Sequence, residues 1–152
     1  MTTLQVGDAA PDFTLSRDDG DDITLNALRG QSVVLYFYPR DSTPGCTVQA
    51  CDFRDRQAAL ADKNAVVLGV SKDSLASHAK FRAKYELNFP LLSDPDLAVH
   101  KAYDAYGEKK LYGKVSMGVI RSTVVIDGDG IVTFIRHGVR SKGSADRALG
   151  QL

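Results

Sequence analysis

Both cysteines of this 152-residue chain lie in the stretch YFYPRDSTPGCTVQAC, which spans residues 36–51. A turn-forming loop precedes Cys46: it contains Pro39, presents the Thr43 hydroxyl three positions earlier, and allows close backbone approach at Gly45. A thiol in the first turn of a helix lies near unpaired N–H groups and the positive end of the helix dipole, which favour the thiolate. Cys46 also fits the apolar stripe of the following helix, as a buried structural cysteine would. The loop favours a reactive cysteine, because a structural one has no need of it.

Two thiols in one segment are open to several kinds of chemistry. A disulfide reductase of the thioredoxin type needs Cys-x-x-Cys, whereas four residues separate Cys46 from Cys51. A metal site needs more ligands than two thiols, and the histidines are predicted on a polar helix face, near another helix and at a strand end: His78, His100 and His137. A Cys/His hydrolase needs a histidine placed by a motif, and no motif places one here. No metal site is therefore expected, and redox chemistry remains.

The composition limits the class of protein and of ligand. Lysine plus arginine and aspartate plus glutamate number 19 each, so no net charge draws the chain to nucleic acid or to an anionic membrane. The length suits one domain, residues 1–152, with a sizeable core. The opening MTTLQVGDAAPDFTL lacks a basic start and an apolar run, and no stretch approaches the length of a membrane span. We expect a cytoplasmic protein whose cysteines stay reduced unless catalysis or signalling oxidises them.

Alternating segment types predict the elements that position the two cysteines. Residues 13–25 predict an N-terminal β-hairpin around an Asp/Gly-rich turn, and SVVLYFY (32–38) predicts a central strand covered on both faces. Residues 104–117 are predicted to form a loop of mixed polarity. The other predicted elements are, in order, a helix from Cys46 to about Asp62, a strand at 65–71, a helix at 74–87 capped by Ser74, a short helix near 96–103, a hairpin of GVIRSTVVID and GIVTFIRHG around DGDG, and a short terminal helix.

This order of elements predicts the fold class. It closes with an antiparallel hairpin, so the chain is not a regular doubly wound α/β protein. A mixed central β-sheet with helices on both faces accounts for the order, and this is the thioredoxin-like arrangement of an α/β protein. The loop 39–45 then lies at the carboxyl end of a central strand, which is the usual location of a site in an open α/β sheet.

The residues of this loop resemble the active-site motif of the peroxiredoxins. YPRDSTPGCTVQAC contains Pro-x-x-x-Thr-x-x-Cys as Pro39, Thr43 and Cys46. The Cys-x4-Cys spacing, the FYP strand end and the later GVIRSTVVID resemble the peroxiredoxin Q subfamily, also called bacterioferritin comigratory protein. The similarity runs from about residue 6 to residue 135, and the last residues, 137–152, carry no match.

The resemblance implies a thiol peroxidase that reduces hydrogen peroxide and organic hydroperoxides, without metal, haem or flavin. Cys46 would attack the peroxide in a pocket formed by Pro39, Thr43 and Gly45. The Thr43 hydroxyl would form a hydrogen bond with the substrate. Arg121, at the start of a strand, would aim its guanidinium at the thiolate and the peroxide, because this group stays charged and offers a rigid fork of donors. Electrons would return from thioredoxin or a similar dithiol protein to a monomeric enzyme. A non-catalytic redox sensor using the same two cysteines is the alternative.

The resemblance also makes Cys51 the resolving cysteine, which would form an intramolecular redox disulfide with Cys46. Five residues of helix amount to about 7.5 Å of rise and about 140° of rotation, which separates the two Cα atoms by about 8.7 Å. A disulfide needs a Cα separation of about 7 Å or less. The first turns of the helix must therefore unwind before the two cysteines can be joined.

Overall fold

The computed structural model describes residues 3–152 and folds them into a mixed sheet flanked by helices. The strands are β1 (Thr14–Arg17), β2 (Gly20–Thr24), β3 (Ser32–Phe37), β4 (Ala65–Ser71), β5 (Leu91–Ser93), β6 (Tyr106–Leu111), β7 (Lys114–Val119), β8 (Ser122–Ile126) and β9 (Val132–His137). The helices are α1 (Pro44–Asp55), α2 (Gln57–Asp62), α3 (Leu75–Tyr85), α4 (Ala98–Ala102) and α5 (Ser144–Leu149), with a 3₁₀ turn at Leu25–Leu28. Within residues 3–152, no helix is long and apolar enough to cross a membrane.

Seven strands form the main sheet in the order β2-β1-β5-β4-β3-β8-β9. The central strand β3 pairs in parallel with β4 and antiparallel with β8. The pair β4–β5 is parallel, whereas the pairs β1–β2, β1–β5 and β8–β9 are antiparallel. The predicted thioredoxin-like fold is confirmed, with its mixed sheet, its N-terminal hairpin and the closing antiparallel pair.

Each face of β3 packs into its own core, because successive side chains of a strand point to opposite sides. Tyr36 lies in the core that includes Phe53 of α1 and Phe81 of α3. Phe37 lies in the core on the other face, which includes Tyr103 just beyond α4. The prediction of a central strand covered on both faces is therefore confirmed, and the carboxyl end of β3 is a rigid base for the loop that follows.

The helix that carries both cysteines is shorter than the sequence predicts. It was expected from Cys46 to about Asp62, but α1 begins at Pro44 and ends at Asp55. Arg56 leaves the helical conformation, with φ −107° and ψ 11°, and the short helix α2 follows it. The apolar stripe continues across this break, since Leu60 of α2 is buried in the same core as α1. Periodicity alone therefore could not reveal the break.

Three strands were missing from the prediction. The three-residue β5 lies in FPLLSD, and the hairpin β6–β7 occupies most of the segment predicted as a loop of mixed polarity. This hairpin forms a separate two-stranded sheet, so its strands lack the alternation of a half-buried strand. Its turn has positive φ at Tyr112 (52°) and Gly113 (76°), as a two-residue hairpin turn requires. The short terminal helix is confirmed as α5.

Candidate active site

The loop after β3 carries the first group of predicted site residues to the start of α1. Thr43 is extended, with φ −81° and ψ 154°, and occupies the N-cap position. Pro44 takes the first helical position, where its missing N–H is not needed by the helix. Cys46 is the third residue of α1. Its predicted location, in the first turn of a helix at the carboxyl end of a central strand, is confirmed.

The Cys46 thiol is buried beside the Arg121 guanidinium. Only 1% of Cys46 is exposed, and Arg121 Nη2 lies 3.3 Å from Cys46 Sγ. Arg121 belongs to the two-residue connection between β7 and β8, one position before the strand in which the sequence placed it. Guanidinium nitrogens donate hydrogen bonds and cannot accept them, so the sulfur is the acceptor in this contact. The arrangement places a permanent positive charge beside the sulfur.

Gln49 holds the Arg121 guanidinium in this direction, and the sequence analysis did not single it out. Its Oε1 accepts a hydrogen bond from Arg121 Nη1 at 2.5 Å, and its Nε2 donates to Ser144 Oγ at 3.2 Å. Gln49 is fully buried. The signal available in the sequence was a polar side chain three positions after Cys46, next to Ala50 on the apolar face of the helix.

Gly45 permits the close approach that the loop sequence suggested. A Cβ atom added there would lie 3.3 Å from Arg121 Nη2 and 3.5 Å from Ser141 Oγ. The first of these distances is too short for easy accommodation of a side chain, because the guanidinium also has to reach Cys46. Ser141 brings the segment before α5 to the site, although this segment carried no recognisable motif.

Thr43 directs its hydroxyl to the backbone of its own loop. Its Oγ1 donates to the carbonyl of Arg40 at 2.9 Å and forms no capping bond with α1. A hydroxyl oxygen whose proton is engaged keeps lone pairs that can accept a hydrogen bond from another O–H group. Pro39 is half-buried in the same loop, directly after the buried Tyr38.

Comparisons with known proteins agree with this geometry. The profile of the AhpC/TSA family matches residues 6–135. The chain is 47% identical to a putative peroxiredoxin Bcp of Helicobacter pylori over the full length of both chains. It is 40% identical to peroxiredoxin Bcp of Escherichia coli over 100% of this chain and 97% of the relative.

A solved structure of the bacterioferritin comigratory protein of Xanthomonas campestris superposes with a TM-score of 0.88 at 41% identity, covering 97% of this chain and 94% of the other. That structure is described in connection with alkyl peroxide reduction. The chain is a peroxiredoxin of the AhpC/TSA family. Its expected resemblance to the peroxiredoxin Q and bacterioferritin comigratory group is confirmed, and with it the activity of a thiol peroxidase, an oxidoreductase that uses a peroxide and a thiol reductant.

Cys51 of this peroxiredoxin lies in the same unbroken helix as Cys46, and both are free thiols. Cys51 is half-buried, whereas Cys46 is almost completely enclosed. Near Cys51, the carboxylate of Asp52 accepts a hydrogen bond from the backbone N–H of Ala145 in α5, at 2.8 Å. The helix that would have to unwind for a disulfide is therefore attached to the C-terminal helix of the peroxiredoxin.

The histidines of this peroxiredoxin differ from their predicted surroundings. His137 ends β9 as expected, but the prediction of a polar helix face for His78 is wrong, because His78 is fully buried. His100 is also fully buried, in α4. Within residues 3–152, no group of three or more histidine, cysteine or acidic side chains is arranged to hold a metal ion.

Proposed function

We propose that Cys46 is the peroxidatic cysteine of this peroxiredoxin and that Cys51 is its resolving cysteine. The observation that supports this most directly is the Arg121 Nη2 atom, 3.3 Å from the buried Cys46 Sγ. A fixed cation in this position stabilises the thiolate before attack and the charge that develops on the departing oxygen during attack. The unpaired N–H groups at the start of α1 act in the same direction.

In the first step, the Cys46 sulfur attacks the terminal oxygen of a peroxide ROOH, so that an S–O bond forms and the O–O bond breaks. The leaving RO⁻ takes up from solvent the equivalent of the proton that the Cys46 thiol lost, and it departs as ROH, which is water when the substrate is hydrogen peroxide. Cys46 is thereby oxidised to a sulfenic acid. The Thr43 oxygen accepts a hydrogen bond from the peroxide O–H, while Pro39 and Gly45 line the pocket and exclude water.

In the second step, the Cys51 sulfur attacks the sulfur of the Cys46 sulfenic acid. An S–S bond forms, the S–O bond of the sulfenic acid breaks, and the hydroxyl group leaves as water with the proton of the Cys51 thiol. The helix between the two residues must unwind first, since its regular geometry keeps their Cα atoms about 8.7 Å apart. A dithiol protein such as thioredoxin then reduces the disulfide and is itself oxidised to a disulfide.

Hydrogen peroxide and organic hydroperoxides are the proposed substrates, and the Xanthomonas relative described with alkyl peroxide reduction supports the second class. We infer that residues 1–152 act as a single domain and as a monomer; one main sheet with a core on each face supports the single domain. The balanced charge gives nucleic acid no basis for binding. A cytoplasmic location fits two thiols that have to be returned to the reduced state.

Stopped-flow consumption of hydrogen peroxide by the reduced protein, with intact mass before and after, tests these assignments. The wild type should consume one equivalent and lose two hydrogens. Cys51→Ser should consume one equivalent at a near-normal rate and gain one oxygen. Cys46→Ser should not react, because a serine hydroxyl presents almost no anion at neutral pH.

Peroxide consumption by Cys46→Ser at the wild-type rate would overturn the assignment of the nucleophile. Normal turnover of Cys51→Ser with thioredoxin, with no bridge between the cysteines in the oxidised wild type, would overturn the resolving role. The same assay addresses the redox sensor: with thioredoxin and excess peroxide, a peroxidase turns over many times, whereas a sensor stops after one oxidation.

A further inference from the structure

A buried polar cluster lies directly behind the loop that binds the peroxide. The Asp41 and His78 side chains are 2% and 0% exposed, and His78 Nδ1 lies 2.7 Å from Asp41 Oδ2. The same carboxylate accepts hydrogen bonds from the Tyr38 hydroxyl at 2.6 Å and from the Ser77 hydroxyl at 2.9 Å. An ionised carboxylate can accept all three of these bonds.

The surroundings of His78 offer a hydrogen-bond acceptor to each of its ring nitrogens. On one side, Nδ1 faces the Asp41 carboxylate, and on the other, Nε2 lies 3.1 Å from the carbonyl oxygen of Leu92. A carbonyl only accepts hydrogen bonds, and so does an ionised carboxylate, whereas a neutral imidazole carries a single N–H. Against an ionised carboxylate, only the imidazolium form donates to both, and Asp41 and His78 then form a buried ion pair.

The charge of His78 follows from its neighbours. Burial alone would lower the pKa of His78, but the hydrogen bond that His78 donates to Asp41, the charge of that carboxylate and the Leu92 carbonyl outweigh it, so the pKa is raised. The ionisable groups beside it are Tyr38, directly after β3, Asp41 in the loop that follows and Asp73 in the turn before α3. Arg82 follows one turn later on α3 and is paired with Asp18. Burial raises the pKa of Tyr38, so its hydroxyl stays a donor to Asp41.

The ion pair and the backbone around it fix the shape of the loop. The backbone N–H of Asp41 donates to Asp73 Oδ2 at 2.8 Å, which itself accepts from Ser71 Oγ at 2.7 Å. The next residue, Ser42, has a φ of 62°, a left-handed conformation that costs a non-glycine residue free energy. Thr43 follows it immediately. The anchors at Asp41 therefore determine where the Thr43 hydroxyl stands relative to Cys46.

We propose that Asp41 and His78 are positioning residues for peroxide reduction: their buried ion pair holds residues 39–43 in the shape that presents the Thr43 hydroxyl to a peroxide at Cys46. This inference rests on the proposed roles of Cys46 and Thr43. Neither Asp41 nor His78 touches the peroxide. Their effect is on the step in which the peroxide reacts, and it persists only while His78 is protonated.

The chain contains a matched control. Asp94 and His100 form a second buried pair, with Oδ2 and Nδ1 2.6 Å apart and side chains 1% and 0% exposed. This pair lies on the other face of the sheet, where the His100 ring contacts Phe37. Its loss should destabilise the fold in a similar way without moving the loop.

The test compares His78→Gln and Asp41→Asn with His100→Gln by stopped-flow measurement of the second-order rate constant for hydrogen peroxide. Misplacement by about 1 Å can cost about 100-fold in rate, so we expect the two loop variants to lose about tenfold to 100-fold. His100→Gln should stay within about twofold of the wild type, even at an equally lowered melting temperature. Folded His78→Gln and Asp41→Asn variants that react at the wild-type rate would overturn the proposal.

A second measurement uses the wild type alone and decides the question if the variants do not fold. Because the pKa of His78 is raised, the pair and its contribution to stability are complete below about pH 6.5 and are lost as the pH rises through the raised value. The rate with peroxide should fall at the alkaline pH at which nitrogen-15 NMR shows His78 losing its proton. A rate that does not fall through this deprotonation would contradict the proposal. Inactivity of Cys46→Ser tests the proposed nucleophile separately.

Discussion

The loop before Cys46 and the helix after it are held by bonds of different strength. In the loop, Asp41 and its partner His78 have side chains only 2% and 0% exposed. At the end of the helix, Arg56 reaches Asp146 of α5, and these side chains are 45% and 64% exposed. Removing one member of a buried ion pair costs about 3–5 kcal/mol, whereas an exposed pair contributes about 0.2–1 kcal/mol.

This difference matches what the two segments do in the proposed cycle. The loop has to keep its shape while the peroxide binds and its O–O bond breaks, because catalysis depends on accurate placement. The helix has to lose its shape, because it holds Cys46 and Cys51 too far apart for a disulfide. The polar contacts at the C-terminal end of the helix are weak, so unwinding has to overcome mainly the packing of buried side chains such as Ala50 and Phe53, while the sheet behind the helix stays folded.

The largest effect is expected for Arg121→Ala, which alters the fixed surroundings of the Cys46 thiol. The substitution removes the guanidinium that lies 3.3 Å from Cys46 Sγ, and the loss of one preorganised transition-state donor typically slows a reaction by about 10²–10³-fold. We expect a loss of that size in the rate constant for peroxide, measured by stopped flow, in a variant that still folds. The rate constant of Arg121→Lys should fall between those of the wild type and Arg121→Ala, because lysine keeps the positive charge but lacks the forked guanidinium that also donates to Gln49.

Arg136→Ala is the matched control for this prediction. Arg136 is an exposed arginine on β9, so its removal changes the net charge equally. It should react with peroxide at the wild-type rate and unfold at a similar temperature. An Arg121→Ala variant that reacts as fast as Arg136→Ala would show that Arg121 is only a surface charge and takes no part in the reaction of Cys46.

Much of the site could be predicted because its signals are local in the sequence. The apolar run of β3, the turn residues after it and the helical pattern that follows place Cys46 at the start of α1. The resemblance added Arg121, which no local pattern distinguishes from a surface charge. The hairpin β6–β7 was missed because it stands outside the main sheet, where no buried face imposes alternation.

The supporting contacts could not be predicted, because they join residues far apart in the chain. Gln49 and Ser144 are 95 positions apart, and His78 and Asp41 are 37 positions apart. A buried histidine in α3 looks like part of a polar helix face until the carboxylate beside it is known. Likewise, α5 was expected as a helix, but only the fold shows that Asp52 bonds to its first turn.

An intermediate effect, on the rate of disulfide closure, is expected for Asp52→Ala in α1. Asp52 Oδ2 accepts from the N–H of Ala145 and so completes the start of α5, where Gly143 offers no capping side chain. Loss of a capping bond costs about 1 kcal/mol, or about fivefold in an equilibrium. Disulfide closure should therefore be about fivefold faster. Quenched flow with intact mass, which follows the loss of water from the sulfenic form, measures the rate.

The control for this variant is Asp55→Ala, in the same helix. Its carboxylate pairs with the adjacent Arg54 and is 59% exposed, and closure should proceed at the wild-type rate. Hydrogen exchange across residues 46–55 should rise in Asp52→Ala, while the strand 32–38 stays protected. Closure at the same rate in Asp52→Ala and Asp55→Ala would mean that α5 does not restrain the unwinding of α1.

The smallest effect is expected for Asp146→Asn, which removes the exposed ion pair that follows α1. Arg56 Nε donates to Asp146 Oδ1 at 3.1 Å, and both side chains are largely open to solvent. Such a pair is screened by salt, so disulfide closure should be less than about twofold faster at low ionic strength. The difference should vanish near about 1 M salt, where the screening length falls to about 3 Å. The same quenched-flow assay at two salt concentrations measures it. A gain as large as that of Asp52→Ala, or one that persists at high salt, would show that an exposed contact restrains the helix firmly, and the contrast between a fixed loop and a loosely held helix would be lost.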